Sequence, residues 1–119
     1  MRRLILILLL AALPTWSMSA KTKRRLTFIA FAAAQMLDVH SSTGKLEANP
    51  LLRGNNGRFS VGRGIGLKLG ILSGLLAAQE IRPSPHWNWV NLTCAGATTA
   101  IAVRNYRVRK TPDYLAPTQ

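Results

Sequence analysis

Acidic residues are scarce in this sequence: four Asp and Glu stand against 16 Lys and Arg, a formal net charge of +12 over 119 residues. That imbalance points to nucleic acid, to an anionic membrane surface, or to the basic loops that flank membrane spans. Aromatic residues are few as well, 7% of the chain, and they are not interleaved with the basic ones. Phe28 and Phe31 lie inside one apolar run, and Trp87 and Trp89 sit at the edge of another. A nucleic-acid reader would more often place aromatics among its basic residues on one face, so that class ranks last. The single cysteine, Cys94, has no partner for an internal disulfide or a zinc site and reads as a small apolar residue. No Gly-x-Ser-x-Gly elbow is present. The stretch "GRFSVGR" (57–63) lacks the Lys-Ser/Thr of a phosphate loop. No catalytic, cofactor-binding or metal-ligating residue is assigned on these grounds, and no cofactor is expected.

What the chain does contain is four apolar blocks, at 4–13, 26–37, 65–81 and 90–103, with the charges almost entirely between them. The first follows Met1-Arg2-Arg3 and ends at Pro14. The small residues Ser17 and Ser19 then suit cleavage before Ala20, the anatomy of a secretory signal peptide over residues 1–19. The alternative is an uncleaved signal anchor, though residues 4–20 would reach only about 25 Å against a hydrocarbon core of about 30 Å. The cluster "KTKRR" (21–25) suits neither reading well, because positive charge resists translocation. With no cysteine after the apolar run, a lipoprotein is excluded.

The other blocks predict helical spans at about 26–42, 64–82 and 88–103 inside a membrane domain of residues 20–110, followed by a disordered tail, 111–119. The expected fold class is therefore all-α: a small helical membrane bundle of three spans, or four if the first segment is retained. The Ala-rich second block suits close helix contact. Two prolines in "RPSPHW" forbid a continuous helix there, and so short a link predicts an antiparallel pair. Between the second and third blocks, "STG", "NP", "RGNNGR" and "VGRG" are turn signals, predicting a loop with one short helical turn.

Loop charges orient the spans. One side collects Arg2, Arg3, Lys45, Arg53, Arg58, Arg63, Arg104, Arg107, Arg109 and Lys110; the other collects Lys21, Lys23, Arg24, Arg25 and Arg82. The bias puts the 41–63 loop and the C-terminus in the cytoplasm of a bacterium, with the membrane its inner membrane, and leaves Trp87 and Trp89 at the opposite interface.

Within the spans, polar residues are expensive and therefore informative. Gln35, Asp38 and Ser42 recur at i, i+3 and i+7, one polar face of a helix. Lys68 interrupts the third block, where a lysine costs about 2.5–3.5 kcal/mol unless it snorkels or pairs. Asp38 and Lys68 would lie near the same membrane face and could pair. Gly62, Gly66, Gly70 and Gly74 recur every four residues and would let another helix approach closely, from this chain or a second copy. Lys68 lies about 200° round the helix from Gly66, away from that groove. Asn91, Thr93, Thr98 and Thr99 could hydrogen-bond within their own helix or across to another. In the loop, Pro50 pushes Asn49 out of helix, Asn49 can close a turn, and Glu47 can pair with Lys45 or Arg53. Asp38, His40 and Glu47 could form a metal or acid–base site only if the loop folded back.

The run Asp38, Thr43, Glu47-Ala-Asn49-Pro50, then Lys68, resembles an uncharacterised family of small bacterial multi-pass membrane proteins with an Asp…Glu-x-Asn-Pro…Lys signature; "RNYR" (104–107) is similar to its ending. The resemblance covers about residues 27–110. It implies a helical integral membrane domain and singles out the same residues, and it implies no activity. The leading expectation is a structural or accessory membrane component that packs through its glycine face, with the lipid bilayer, a second copy or a larger membrane complex as partner and no nucleic acid. An ion, proton or small-solute transport element using Asp38 and Lys68 comes second, and a membrane-embedded enzyme with a cytoplasmic Asp/His/Glu site third.

Overall fold

The computed structural model describes residues 18–108. The expected signal segment, apart from Met18 and Ser19, and the expected disordered tail lie outside the described residues. Three helices follow in order, with no strand among the described residues: α1 (Ala20–Ser42), α2 (Val61–Ile81) and α3 (His86–Arg107). The all-α class is thus observed.

α1 begins six residues before the apolar run predicts, because Ser19 caps it by accepting from Thr22 N at 3.2 Å. Lys and Arg are good helix formers, so "KTKRR" continues the helix without being apolar. α2 starts the same way, Ser60 accepting from Arg63 N at 3.4 Å. Just past the end of α1 stands Gly44, whose φ of 77° is the left-handed conformation that glycine adopts most readily.

α1 lies against α3 along most of its length and against α2 along less; α2 and α3 touch least. The expected pair was α2 with α3. The turn at 82–85 does bring them together at that end, but the closest approach needs small side chains on both helices. Those belong to α1 and α3: Ala34, Ala95 and Ala102 are all buried. Contacts of Arg24 with Asn91, Gln35 with Thr98 and Ser42 with Asn105 show that α1 and α3 run parallel. α2 runs opposite to both, with Glu80 near Arg24 and Lys68 near Asp38. At mid-height Phe31, Ala34, Leu72 and Ala95 form the apolar core, with Phe28, Ala32, Leu75 and Cys94 packed around it.

The 43–60 loop contains the one short helical turn expected, at 49–53, where Asn49 O accepts from Leu52 N at 3.0 Å and from Arg53 N at 2.9 Å. Isolated bridges pair Leu46 with Arg58 and Arg53 with Phe59, and Arg58 donates to Gly44 O at 2.8 Å. Phe59 is buried with its ring over Gly64, anchoring the loop on the first turn of α2. A Cβ at Gly64 would come within 2.4 Å of that ring. Gly64→Ala is therefore expected to expel Phe59 and destabilise by about 1–3 kcal/mol. Limited proteolysis should then cut the 43–60 loop faster than in wild type, and an unchanged cutting rate would contradict this anchoring.

Candidate functional site: two polar layers across the helices

The first polar layer joins the C-terminal half of α1 to both other helices. Lys68 Nζ donates to Asp38 Oδ2 at 2.7 Å and to Gln35 Oε1 at 2.5 Å. Gln35 Nε2 in turn donates to Thr98 Oγ1 at 3.1 Å. The other Asp38 oxygen accepts from Asn105 Nδ2 at 3.3 Å, and that amide also reaches Ser41 and Ser42. The Lys68 and Asp38 side chains are 13% and 18% exposed, so most of their hydration has been exchanged for these contacts. Lys45 Nζ donates to Asn105 O, which ties the loop to the same layer. Beside it, His40 Nδ1 and the Tyr106 hydroxyl share a 2.6 Å hydrogen bond.

The second layer lies on the other side of the apolar core. Gln79 and Asn91 exchange two amide hydrogen bonds, at 2.9 and 3.0 Å, and each is only 1% exposed. Asn91 also donates to Thr27 Oγ1 at 3.1 Å, and Thr27 donates to Arg24 O at 2.9 Å. Glu80 stands between Arg24 and Arg25 at 3.5 and 3.6 Å. The Arg24 side chain is 9% exposed, and its Nε is buried with no acceptor among the described residues.

Of the residues singled out by sequence, Gln35, Asp38 and Lys68 come together, while Glu47, Asn49 and Pro50 stay in the loop. Glu47 pairs with neither Lys45 nor Arg53: its carboxylate accepts from Asn49 N at 2.8 Å. Asn49 Oδ1 accepts from Leu51 N at 3.0 Å, which makes "EANP" a turn closed on itself. Asp38, His40 and Glu47 do not converge, each being engaged elsewhere, and no cluster of three His, Cys, Asp or Glu suited to a metal exists among the described residues. Gly62, Gly66, Gly70 and Gly74 face open space, with nothing within 4 Å of an added Cβ, so the glycine face receives no helix from the described part of the chain.

Sequence reasoning passed over Arg24, Gln79, Glu80 and Asn105. A polar group in an apolar run needs a partner, and that rule, which singled out Lys68, applies equally to Gln79 and would have found it. Asn105 was legible only as part of "RNYR".

The class these features define is an all-helical bundle with polar residues inside. One of its helices, α2, is long and apolar enough to cross a membrane, and only 11% of its most apolar stretch is buried. No family model, curated protein or solved structure matches the chain.

Proposed function

We propose that the protein is a small multi-pass component of a bacterial inner membrane, structural or accessory in role, that associates with a second copy or a larger complex through the glycine face of α2. The observation that carries this reading is an inside-out distribution of polarity. The largest fully buried side chains are Gln79 and Asn91, whereas Ile65, Leu67, Leu69, Ile71, Leu76 and Ile81 of α2 are exposed. In water such a surface exceeds what a monomer leaves uncovered. In hydrocarbon, apolar residues belong outside, and polar ones belong between helices.

α1 and α3 do not pass as spans by composition, yet that measure averages round the helix. Their polar residues Thr27, Gln35, Asp38, Asn91, Thr98 and Asn105 bond to neighbouring helices. Ile29, Met36, Leu92 and Ile101 are exposed. α1 beyond Arg25 and α3 before Arg104 are about 25 and 27 Å long, a little short of a core of about 30 Å, and the basic residues at their ends suit the interfaces. Trp89, 74% exposed, suits the interface opposite the 43–60 loop. The resemblance to the Asp…Glu-x-Asn-Pro…Lys family points the same way and adds no activity.

A second reading, a transport element using Asp38 and Lys68, draws on the ion pair lying inside a layer that links all three helices.

Alkaline carbonate extraction tests the membrane reading: the protein is expected in the pellet, and release into the supernatant would overturn it. For the glycine face, Gly70→Leu is expected to abolish crosslinking between copies while leaving the melting temperature within a few degrees, since the new side chain enters open space. Crosslinking that survives the change would rule out this face as the contact between copies.

A further inference from the structure

We propose that the three helices form a closed proton conduit: two polar layers, one toward each end of the bundle, divided by an apolar septum of Phe31, Leu72 and Ala95. The inference rests on the membrane reading and deepens the transport one.

Each helix carries the same order of side chains along its inner face. α1 presents Thr27, then Phe31, then Gln35 and Asp38; α3 presents Asn91, then Ala95, then Thr98. α2, running the other way, presents Gln79, then Leu72, then Lys68. Polar groups meet polar groups and apolar meet apolar across all three helices. A bundle needing only cohesion could be held by small residues, as Ala34, Ala95 and Ala102 already hold α1 to α3. Two hydrogen-bonded layers on either side of one apolar layer are the arrangement a conduit needs when it is shut.

The septum is thin. Thr27 to Gln35 is about 12 Å along α1, and Asn91 to Thr98 about 10 Å along α3, at ~1.5 Å per residue. Phe31 and Leu72 are the bulky buried residues of the septum, with Phe28 and Leu75 packed around them, and a constriction of this kind blocks protons by excluding water. On one side stands the Asp38 carboxylate, with Lys68 the charge facing it at 2.7 Å. On the other, the guanidinium of Arg24 is buried 3.5 Å from Glu80, and its Nε lacks an acceptor among the described residues. α2 is the movable wall, since it supplies Leu72 and is held mainly by α1. Tilting it outward would withdraw Leu72 and loosen the Lys68–Asp38 pair together.

The full chain, reconstituted into phosphatidylethanolamine–phosphatidylglycerol vesicles containing a pH dye, tests this under a valinomycin-driven potassium diffusion potential. Wild type and the outward-facing control Ile29→Ala are expected to be as tight as empty vesicles. Phe31→Ala and Leu72→Ala are each expected to raise proton influx on the order of tenfold as water enters the septum. Adding Asp38→Asn to either is expected to return the flux toward wild type. If both septum variants float with the vesicles, keep wild-type helicity and stay tight, the conduit is refuted while the membrane reading stands. If wild type itself fails to float with the vesicles, the membrane reading falls and the conduit with it.

Discussion

Lys68→Met is expected to destabilise the folded bundle by about 3 kcal/mol, and the double change Asp38→Asn with Lys68→Met to recover most of that loss. The single change removes the donor 2.7 Å from Asp38 Oδ2 and leaves a carboxylate with only Asn105, at 3.3 Å, in a largely desolvated position. Gln35 Oε1 loses its donor at the same time. The figure lies at the low end for a broken buried pair, because both side chains keep some exposure and Asp38 keeps one partner. In the double variant no uncompensated charge remains, and the amide oxygen introduced at position 38 can still accept from Asn105. Thermal melts of detergent-solubilised Lys68→Met, Asp38→Asn and the double variant would measure all three losses. Strict additivity of the two single losses would mean that the pair is not coupled.

Asn91→Ala is expected to cost about 2 kcal/mol, since it strands the amide of Gln79 in a site where that residue is 1% exposed. The Gln79 amide gives one hydrogen bond to Asn91 and accepts one from it, whereas Asn91 also holds Thr27 and the backbone of Arg24. Replacing both amides by Leu should recover most of that loss, because neither amide is then stranded and Thr27 Oγ1 keeps its hydrogen bond to Arg24 O. The same melts give the coupling energy; a double variant as unstable as the sum of the singles would show that Gln79 and Asn91 contribute separately. Whichever way stability moves, loss of the layer is expected to leave the Asp38–Lys68 layer intact, because the apolar core of Phe31, Ala34, Leu72 and Ala95 lies between them.

The partnership of Asp38 and Lys68 could be reasoned toward because one physical cost, a charge in an apolar run, applied to both residues, and because the topology of two antiparallel helices sets them at one level. The far layer was legible only at Gln79, which the same cost marks, and faintly there. Gln79 and Glu80 sit at the end of their apolar block, where a polar residue looks like an ordinary helix end. Glu47 misled for the opposite reason: charge and proximity in sequence suggested Lys45 or Arg53, but the Asn49-Pro50 turn presents a backbone N–H two residues away, and a local hydrogen bond costs less chain entropy than ordering a long basic side chain.

Apolar blocks, proline placement and turn signals by themselves determined three helices with a long loop between the first two and a tight turn between the last two, because those signals act over a few residues. Tertiary structure alone decided which helices are intimate. Close approach depends on small residues matching across α1 and α3, and so on a sum over two surfaces that no local pattern contains. It also decided that the glycines face outward while Lys68, Leu72 and Gln79 face inward, since α2 has one inner face and the three residues that need partners claimed it.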